Sequence, residues 1–261
     1  MLSEKDLIKY ADEAIVWIKE YVEKTHAKGV VIGNSGGKDS ATVIAMAVKA
    51  LGNENVLTVA MPCNSISKDL SDAKLVADRF KVNMLEIDLT TSYMEMENKI
   101  NDVLTNNNFI KLNNESKVNM KPRFRMTCLY SIAQTLGYLV CGTGNLCEQM
   151  VGFTTKWGDS ASDFNPIANF TVDEVLAIGK YLNVPIEILQ KAPSDGLGVL
   201  SDEEKMGIKY SEIAEMIETG NTLNINSKNE IIKRYKNSSH KRNLVPKFYF
   251  ERKNCLLNID N

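Results

Sequence analysis

The sequence predicts an α/β fold, an open parallel sheet with helices on both flanks. Three observations carry this. Residues 30–46, VVIGNSGGKDSATVIAM, run an apolar strand into two adjacent glycines and then directly into a helix. Strand and helix patterns then alternate as βαβαβ as far as residue 87. A later apolar strand, 138–141, also stops at a glycine turn, GTGN. In such sheets ligands gather at the carboxyl ends of strands, so the two glycine turns are expected to share one cleft.

Each element follows from its pattern. Leu7, Ala11, Ala14, Ile15, Ile18 and Val22 recur at helical spacing, which predicts an amphipathic helix over 4–25 ahead of a strand at 30–33. A second strand is read at 55–60, a helix at 67–80 with Ser67 as N-cap, and a third strand at 82–87. A helix from about Tyr93 precedes NNNFIKLNNESKVN, whose Asn and Ser density predicts a mobile excursion over 105–119. Helices follow at 123–136, 172–182, 204–218 and 228–236, with a Pro/Gly-rich loop at 192–200 and a C-terminal tail from residue 237 to 261. The 261 residues are expected to form one domain.

Composition excludes several classes. With 31 basic and 33 acidic residues the formal charge is −2, so no general field favours nucleic acid. The five cysteines, at 63, 128, 141, 147 and 255, are an odd set without a CxxC pair, which argues against a disulfide framework, a zinc ribbon and sulfur transfer. No stretch approaches the ~20 apolar residues that span a membrane. A cytoplasmic protein that binds no membrane is therefore expected.

The loop Ser35-Gly36-Gly37-Lys38-Asp39-Ser40 opens a helix, where backbone N–H groups and the helix dipole favour a phosphate. Its spacing is neither Walker A nor GxGxxG. Asp39 would repel phosphate unaided, so its expected task is to hold Mg²⁺ against it. Glu148, after the GTGN turn, reads either as a second metal ligand or as an acid at a helix N-terminus. Lys38 reads either as a phosphate cation or as a solvated lysine, while Ser35 and Ser40 can donate hydroxyl hydrogen bonds. Arg123 and Arg125 begin a predicted helix, unfavourably for its dipole, and so point either to a bound anion or to surface solvation. The stretch GFTTKWGDSASDFNP gathers Lys156, Trp157, Asp159 and Asp163 and could offer a cation and a stacking surface to a substrate, or form a surface loop.

The loop resembles the signature of the ATP pyrophosphatases, which cleave ATP between its α and β phosphates. Over residues 10–250 the ordered segments GNSGGKDS, MKPRFRMTCLYSIA, GTGNLCEQMVGFTTKWGDSASDFNP, KAPSDGL, SDEEKMGIKY and HKR resemble the ammonia-dependent NAD synthetases. The resemblance implies an adenine nucleotide alpha hydrolase-like fold of three layers. It implies a ligase that adenylates the carboxylate of nicotinic acid adenine dinucleotide with ATP and replaces AMP by ammonia, giving NAD. It further implies a homodimer, Asp39 and Glu148 as Mg²⁺ ligands, and ATP contacts from Ser35, Gly36, Gly37, Lys38, Ser40, Thr143 and Ser194. Substrate contacts are implied for Arg123, Tyr130, Lys156, Asp159, Asp163, His240 and Lys241, with Arg242 in the same tail segment, and Asp159 could accept a proton from ammonium. Many relatives carry a lysine where this chain has Val172, and the loop at Pro193-Ser194-Asp195-Gly196 departs from the family's usual pattern. A tRNA-modifying pyrophosphatase would need a basic appendage, and a noncatalytic nucleotide sensor would not need both metal carboxylates. A glutamine-using enzyme would need an attached amidase domain, so free ammonia is the expected nitrogen donor.

Overall fold

Strands β1 (Val30–Gly33), β2 (Val56–Ala60), β3 (Asn83–Glu86) and β4 (Leu139–Cys141) form a parallel sheet in the order β3-β2-β1-β4. The structure is a computed structural model that describes residues 2–64, 67–191 and 201–248. β1 pairs with β2 from Val30 opposite Val56 and with β4 from Val30 opposite Leu139. Parallel central strands are covered on both faces, and the alternation along β1 shows how. Val30 and Ile32 point into one apolar layer, whereas Val31 points into the other.

The first layer is built by α1 (Glu4–Lys24), α2 (Lys38–Leu51) and α7 (Val172–Tyr181). Ala11, Ile18, Ile44, Val175 and Ile178 are buried there, on the apolar faces that the helical spacing marks. The second layer holds α4 (Thr90–Asn106) and α5 (Asn114–Leu136), which cover Val31, Val59 and Val140 with Tyr93, Leu129 and Ala133. A third apolar cluster, with Cys147, Val172, Met206, Tyr210, Ile213 and Ile231, joins α6 (Leu146–Val151) to α9 (Asp202–Met206), α10 (Tyr210–Thr219) and α11 (Ile225–Asn237). The remaining described α-helices are α3 (Ser67–Phe80), α8 (Ile186–Leu189) and α12 (Ser239–Arg242), and a 3₁₀ turn, Asn53–Asn55, precedes β2.

Three elements differ from the sequence reading. The helix expected from residue 123 starts at Asn114, because Asn113 accepts the Ser116 N–H at 2.8 Å and caps it; residues 114–119 of the expected excursion are therefore helical. The helix expected over 204–218 is two helices, divided where Gly207 turns left-handed at φ +68° and ends α9. The helix read at 228–236 runs three residues earlier, from a cap by Asn224. The Ser67 side chain, the loop 192–200 with Ser194, and Cys255 lie outside the described residues.

β1, β2 and β3 step outward in one direction and β4 returns to the other side of β1. The switch point therefore lies between the carboxyl ends of β1 and β4, and the two glycine turns flank it.

Candidate active site

The turn after β1 is shaped by its own side chains and by α3. Buried Asn34 donates to the Ala73 carbonyl at 2.8 Å and accepts the Gly36 N–H at 3.2 Å. Gly36 has φ +68°, and a Cβ there would lie 2.6 Å from the Asp69 carbonyl oxygen and 2.7 Å from the Asp72 Cβ. Only glycine combines that backbone with that approach. Ser35 Oγ accepts the Gly37 N–H at 3.2 Å and lies 3.0 Å from Ser40 Oγ, which donates to the Gly37 carbonyl. Gly37 precedes α2 and no side chain caps that helix. The amino end of α2 thus meets the cleft with its dipole available to an anion.

The turn after β4 carries the opposing carboxylate. Gly142 is forced by packing, since a Cβ would fall 2.7 Å from Ser162 Oγ. Asn145, wholly buried, accepts the Glu148 N–H at 3.1 Å while Glu148 Oε2 accepts the Asn145 N–H at 2.9 Å, a reciprocal capping box that opens α6. The Asn145 amide also donates to Asp39 Oδ1 at 3.3 Å. One side chain therefore touches both carboxylate residues, although 39 and 148 are far apart in sequence. Burial, then the neighbouring Asp39 charge, raises the Glu148 carboxyl well above the usual carboxylate range.

Lys38 is not a solvated lysine. It is 7 % exposed, its Nζ lies 3.2 Å from Asp39 Oδ2, and it sits 5.8 Å from the centre of the Tyr210 ring. The Tyr210 hydroxyl donates to buried Asp202 at 3.3 Å.

Lys38, Asp39, Glu148 and Asp202 face a cavity of about 570 Å³, lined also by Thr143, Asp159 and Lys241. Asp159 accepts the Thr155 N–H at 2.9 Å, and the desolvating cleft walls raise its carboxyl. Lys241 donates to the Gly152 carbonyl at 2.8 Å and the Thr154 carbonyl at 2.6 Å, and burial pushes its ammonium down. Those bonds, with Arg242 on the Gln149 carbonyl at 3.0 Å, dock α12 beside α6. Gly152, at φ +64°, permits the approach, because a Cβ would fall 2.1 Å from the Ser238 Cβ.

The other expected substrate contacts lie elsewhere. Arg123 donates to the Lys156 carbonyl at 3.2 Å, and the Lys156 ammonium rests 5.4 Å from the Trp157 ring centre. Tyr130 donates to Asp163 Oδ1 at 3.2 Å, and Asp163 Oδ2 accepts the Val140 N–H at 2.7 Å, so Asp163 fastens the exposed side of β4. The Tyr130 hydroxyl is pushed up to about 12 by burial and by that carboxylate. His240 is exposed on α12. None of these five lines the cavity in the single chain. Three residues of the site went unremarked in the sequence: Asn145, buried behind the cavity wall, and two that line it, Asp202 and Lys191, whose ammonium bridges Asp69 at 2.9 Å and Asp72 at 2.6 Å. Asn145 had a legible signal, since Asn-x-x-Glu ahead of a helix is a capping signature. Lys191 had none, because its partners are more than a hundred residues away.

No group of three or more His, Cys, Asp or Glu able to hold a metal converges among the described residues. Two carboxylates beside an uncapped helix end suit Mg²⁺, which is usually held by one or two carboxylates with phosphate and water completing its shell. They do not suit zinc or another ion that needs a full protein cage.

Residues 10–245 match the family model described as NAD synthase. The chain belongs to the NAD synthase family. The NH(3)-dependent NAD(+) synthetase of Malacoplasma penetrans is 39 % identical over 92 % of this chain and 94 % of its own. That of Thermococcus sibiricus is 40 % identical over 81 % of this chain and 80 % of its own. Among solved structures, the NMN synthetase of Francisella tularensis superposes with a TM-score of 0.85 at 32 % identity, covering 96 % of this chain and all of that one. The three-layer parallel fold read from the sequence is thus the fold of this NAD synthase family member. At the position where the resemblance implies a lysine, Val172 is buried among Cys147, Met206 and Tyr210. Lys38, over the ring of the same Tyr210, brings a different cation to that region.

Proposed function

We propose that this NAD synthase family member amidates nicotinic acid adenine dinucleotide with ammonia at the expense of ATP, releasing AMP and pyrophosphate. The observation that carries the reading is the meeting of Asp39, Glu148 and the uncapped end of α2 at one switch-point cleft. A carboxylate cannot be aminated directly, because oxide would have to leave. Its oxygen instead forms a bond to the α-phosphorus of ATP while the bond from that phosphorus to the bridging oxygen breaks and pyrophosphate departs. Ammonia then adds to the acyl carbon, loses a proton, and AMP leaves with the former carboxylate oxygen. No covalent enzyme nucleophile is needed.

The α2 amides and the hydroxyls of Ser35 and Ser40 would receive the phosphates, with Thr143 beside them. Asp39 and Glu148 would hold Mg²⁺, which offsets triphosphate charge. Asp159, with its raised carboxyl, would take the proton from ammonium, with Lys241 near it as a counter-charge. The contacts implied for Arg123, Tyr130, Lys156, Asp163 and His240 would serve a substrate that extends beyond the cavity of one chain. A homodimer fits that arrangement: α4 and the turn after it expose Met94, Met96, Val103, Phe109 and Ile110, the last 88 % exposed. The described cysteines, 63, 128, 141 and 147, are free thiols, which accords with a reducing, cytoplasmic setting. No helix among the described residues is long and apolar enough to cross a membrane.

A second reading is that the acid is a mononucleotide, favoured by the fit to a protein described as an NMN synthetase over the whole of that chain. Purified protein given ATP, Mg²⁺ and ammonium with either the dinucleotide or the mononucleotide acid distinguishes the two by mass spectrometry of the amide. We expect NAD with equimolar AMP, and glutamine to substitute poorly for ammonium. Amide from the mononucleotide alone would establish the second reading, and AMP release with neither acid would refute both.

A further inference from the structure

Lys38 is the middle residue of the phosphate loop, yet its side chain turns into the protein. It is nearly inaccessible, pairs with Asp39 Oδ2 at 3.2 Å and packs over the Tyr210 ring, whose hydroxyl is tied to Asp202. Asp39 meanwhile accepts from Asn145, which also holds Glu148. Two carboxylates next to one another in a desolvated cleft are unfavourable without a cation. Among the described residues, the Lys38 ammonium lies within salt-bridge distance of Asp39.

We propose that Lys38 is a placeholder cation: in the nucleotide-free protein its ammonium neutralises Asp39 and the adjoining Glu148, so that it competes with a divalent metal for those carboxylates. Metal arriving with a nucleotide displaces the ammonium from Asp39, and the released charge is then available to the phosphates. Free metal, bringing no phosphate to receive the ammonium, gains less. Lys38 is in this sense a positioning residue that makes metal and nucleotide enter together. The Tyr210 ring gives the ammonium a second favourable contact during the exchange, independent of Asp39.

The inference takes the nucleotide from the function proposed above, but its test does not depend on amidation. Binding of Mn²⁺ to the full, nucleotide-free chain is measured from the electron paramagnetic resonance signal of free Mn²⁺. Lys38→Met keeps the length and the packing while removing the charge, and it should bind Mn²⁺ at least about tenfold more tightly than wild type, since one unit charge at this distance is worth that much even at intermediate dielectric. Lys38→Arg should bind Mn²⁺ as wild type does, and adding Asp39→Asn to Lys38→Met should abolish the gain. Equal or weaker Mn²⁺ binding by Lys38→Met overturns the proposal, as does a gain that survives Asp39→Asn. Should Lys38→Met fail to fold, wild-type protein with ¹⁵N-labelled lysine ammonium groups provides the second measurement. The Lys38 resonance should shift on adding Mg²⁺ with a non-hydrolysable ATP analogue, and an unmoved resonance in saturated protein overturns the proposal. A tenfold gain in a protein that never forms an amide would sink the proposed function and leave this inference standing.

Discussion

Asn145→Ala tests whether one buried amide organises the metal pair. The substitution removes the acceptor for the Glu148 N–H at 3.1 Å and the donor to Asp39 at 3.3 Å. Loss of an N-cap costs about 1 kcal/mol and loss of a hydrogen bond to a charged group about 1.5–3 kcal/mol; the long 3.3 Å contact argues for the lower part of that range. The sum, roughly 2–4 kcal/mol, lowers the melting temperature by about 4–16 °C in a chain of this size. Asn145→Ser separates the two contacts. It keeps a cap acceptor for the Glu148 N–H but has no amide to donate to Asp39, so it should lose less stability than Asn145→Ala while AMP release falls by about two orders of magnitude, the effect of misplacing a group by ~1 Å. Thermal unfolding and a coupled AMP assay on both variants suffice. If Asn145→Ala melts as wild type and releases AMP at the wild-type rate, the amide neither caps α6 nor positions Asp39, and the reasoning fails.

Three further outcomes follow from the same geometry. Gly36→Ala places a methyl 2.6 Å from the Asp69 carbonyl on a left-handed backbone, so urea denaturation should show a loss of about 2–5 kcal/mol, with ATP binding lost in the residual fold. Asp39→Asn and Glu148→Gln should each retain a near wild-type far-ultraviolet dichroism spectrum and melting transition yet lose adenylate formation across a Mg²⁺ titration, and near-normal AMP release by either would separate it from the metal pair. Phe109→Asp with Ile110→Asp changes only exposed positions, 67 % and 88 % accessible, so sedimentation should show the wild type at twice 29.2 kDa and the double variant at 29.2 kDa, each chain still folded.

The fold was legible because its signals are local. The alternation of Val30, Val31 and Ile32, the helical stripe from Leu7 to Val22 and the two glycine turns each lie within a short window, and their topology brings residues 35–40 beside 142–148 by rule. What was hard to read involves contacts across the chain. The burial of Lys38 comes from Tyr210 and Asp39, one distant and one adjacent, and no spacing in GGKDS tells a buried lysine from a solvated one. Asp163 sits in a segment with the composition of a binding loop, yet its carboxylate serves Val140 and Tyr130. Asn113 sits in an Asn-rich stretch that suggests a loop, but a side chain that favours turns also favours a helix cap, and here the cap is made.

The charge balance of the cleft leads to a last expectation, about ATP without metal. The described residues lining the cavity include six acids, Asp39, Asp69, Glu115, Glu148, Asp159 and Asp202, against five bases, Lys38, Arg125, Lys191, Lys205 and Lys241. Two of the bases are paired with carboxylates, Lys191 with Asp69 and Asp72 and Lys38 with Asp39. Six acids against five bases leave the lining with no net positive charge to meet a triphosphate. A phosphate site built on a strongly basic wall binds ATP alone and gains modestly from Mg²⁺, whereas this one must import its positive charge with the nucleotide. Calorimetry should therefore find ATP binding weakened by at least about a hundredfold in EDTA relative to saturating Mg²⁺, about 2.7 kcal/mol. Comparable affinity in the two buffers would mean that the α2 amides and lysines hold the triphosphate unaided, and that Asp39 and Glu148 serve something other than its charge.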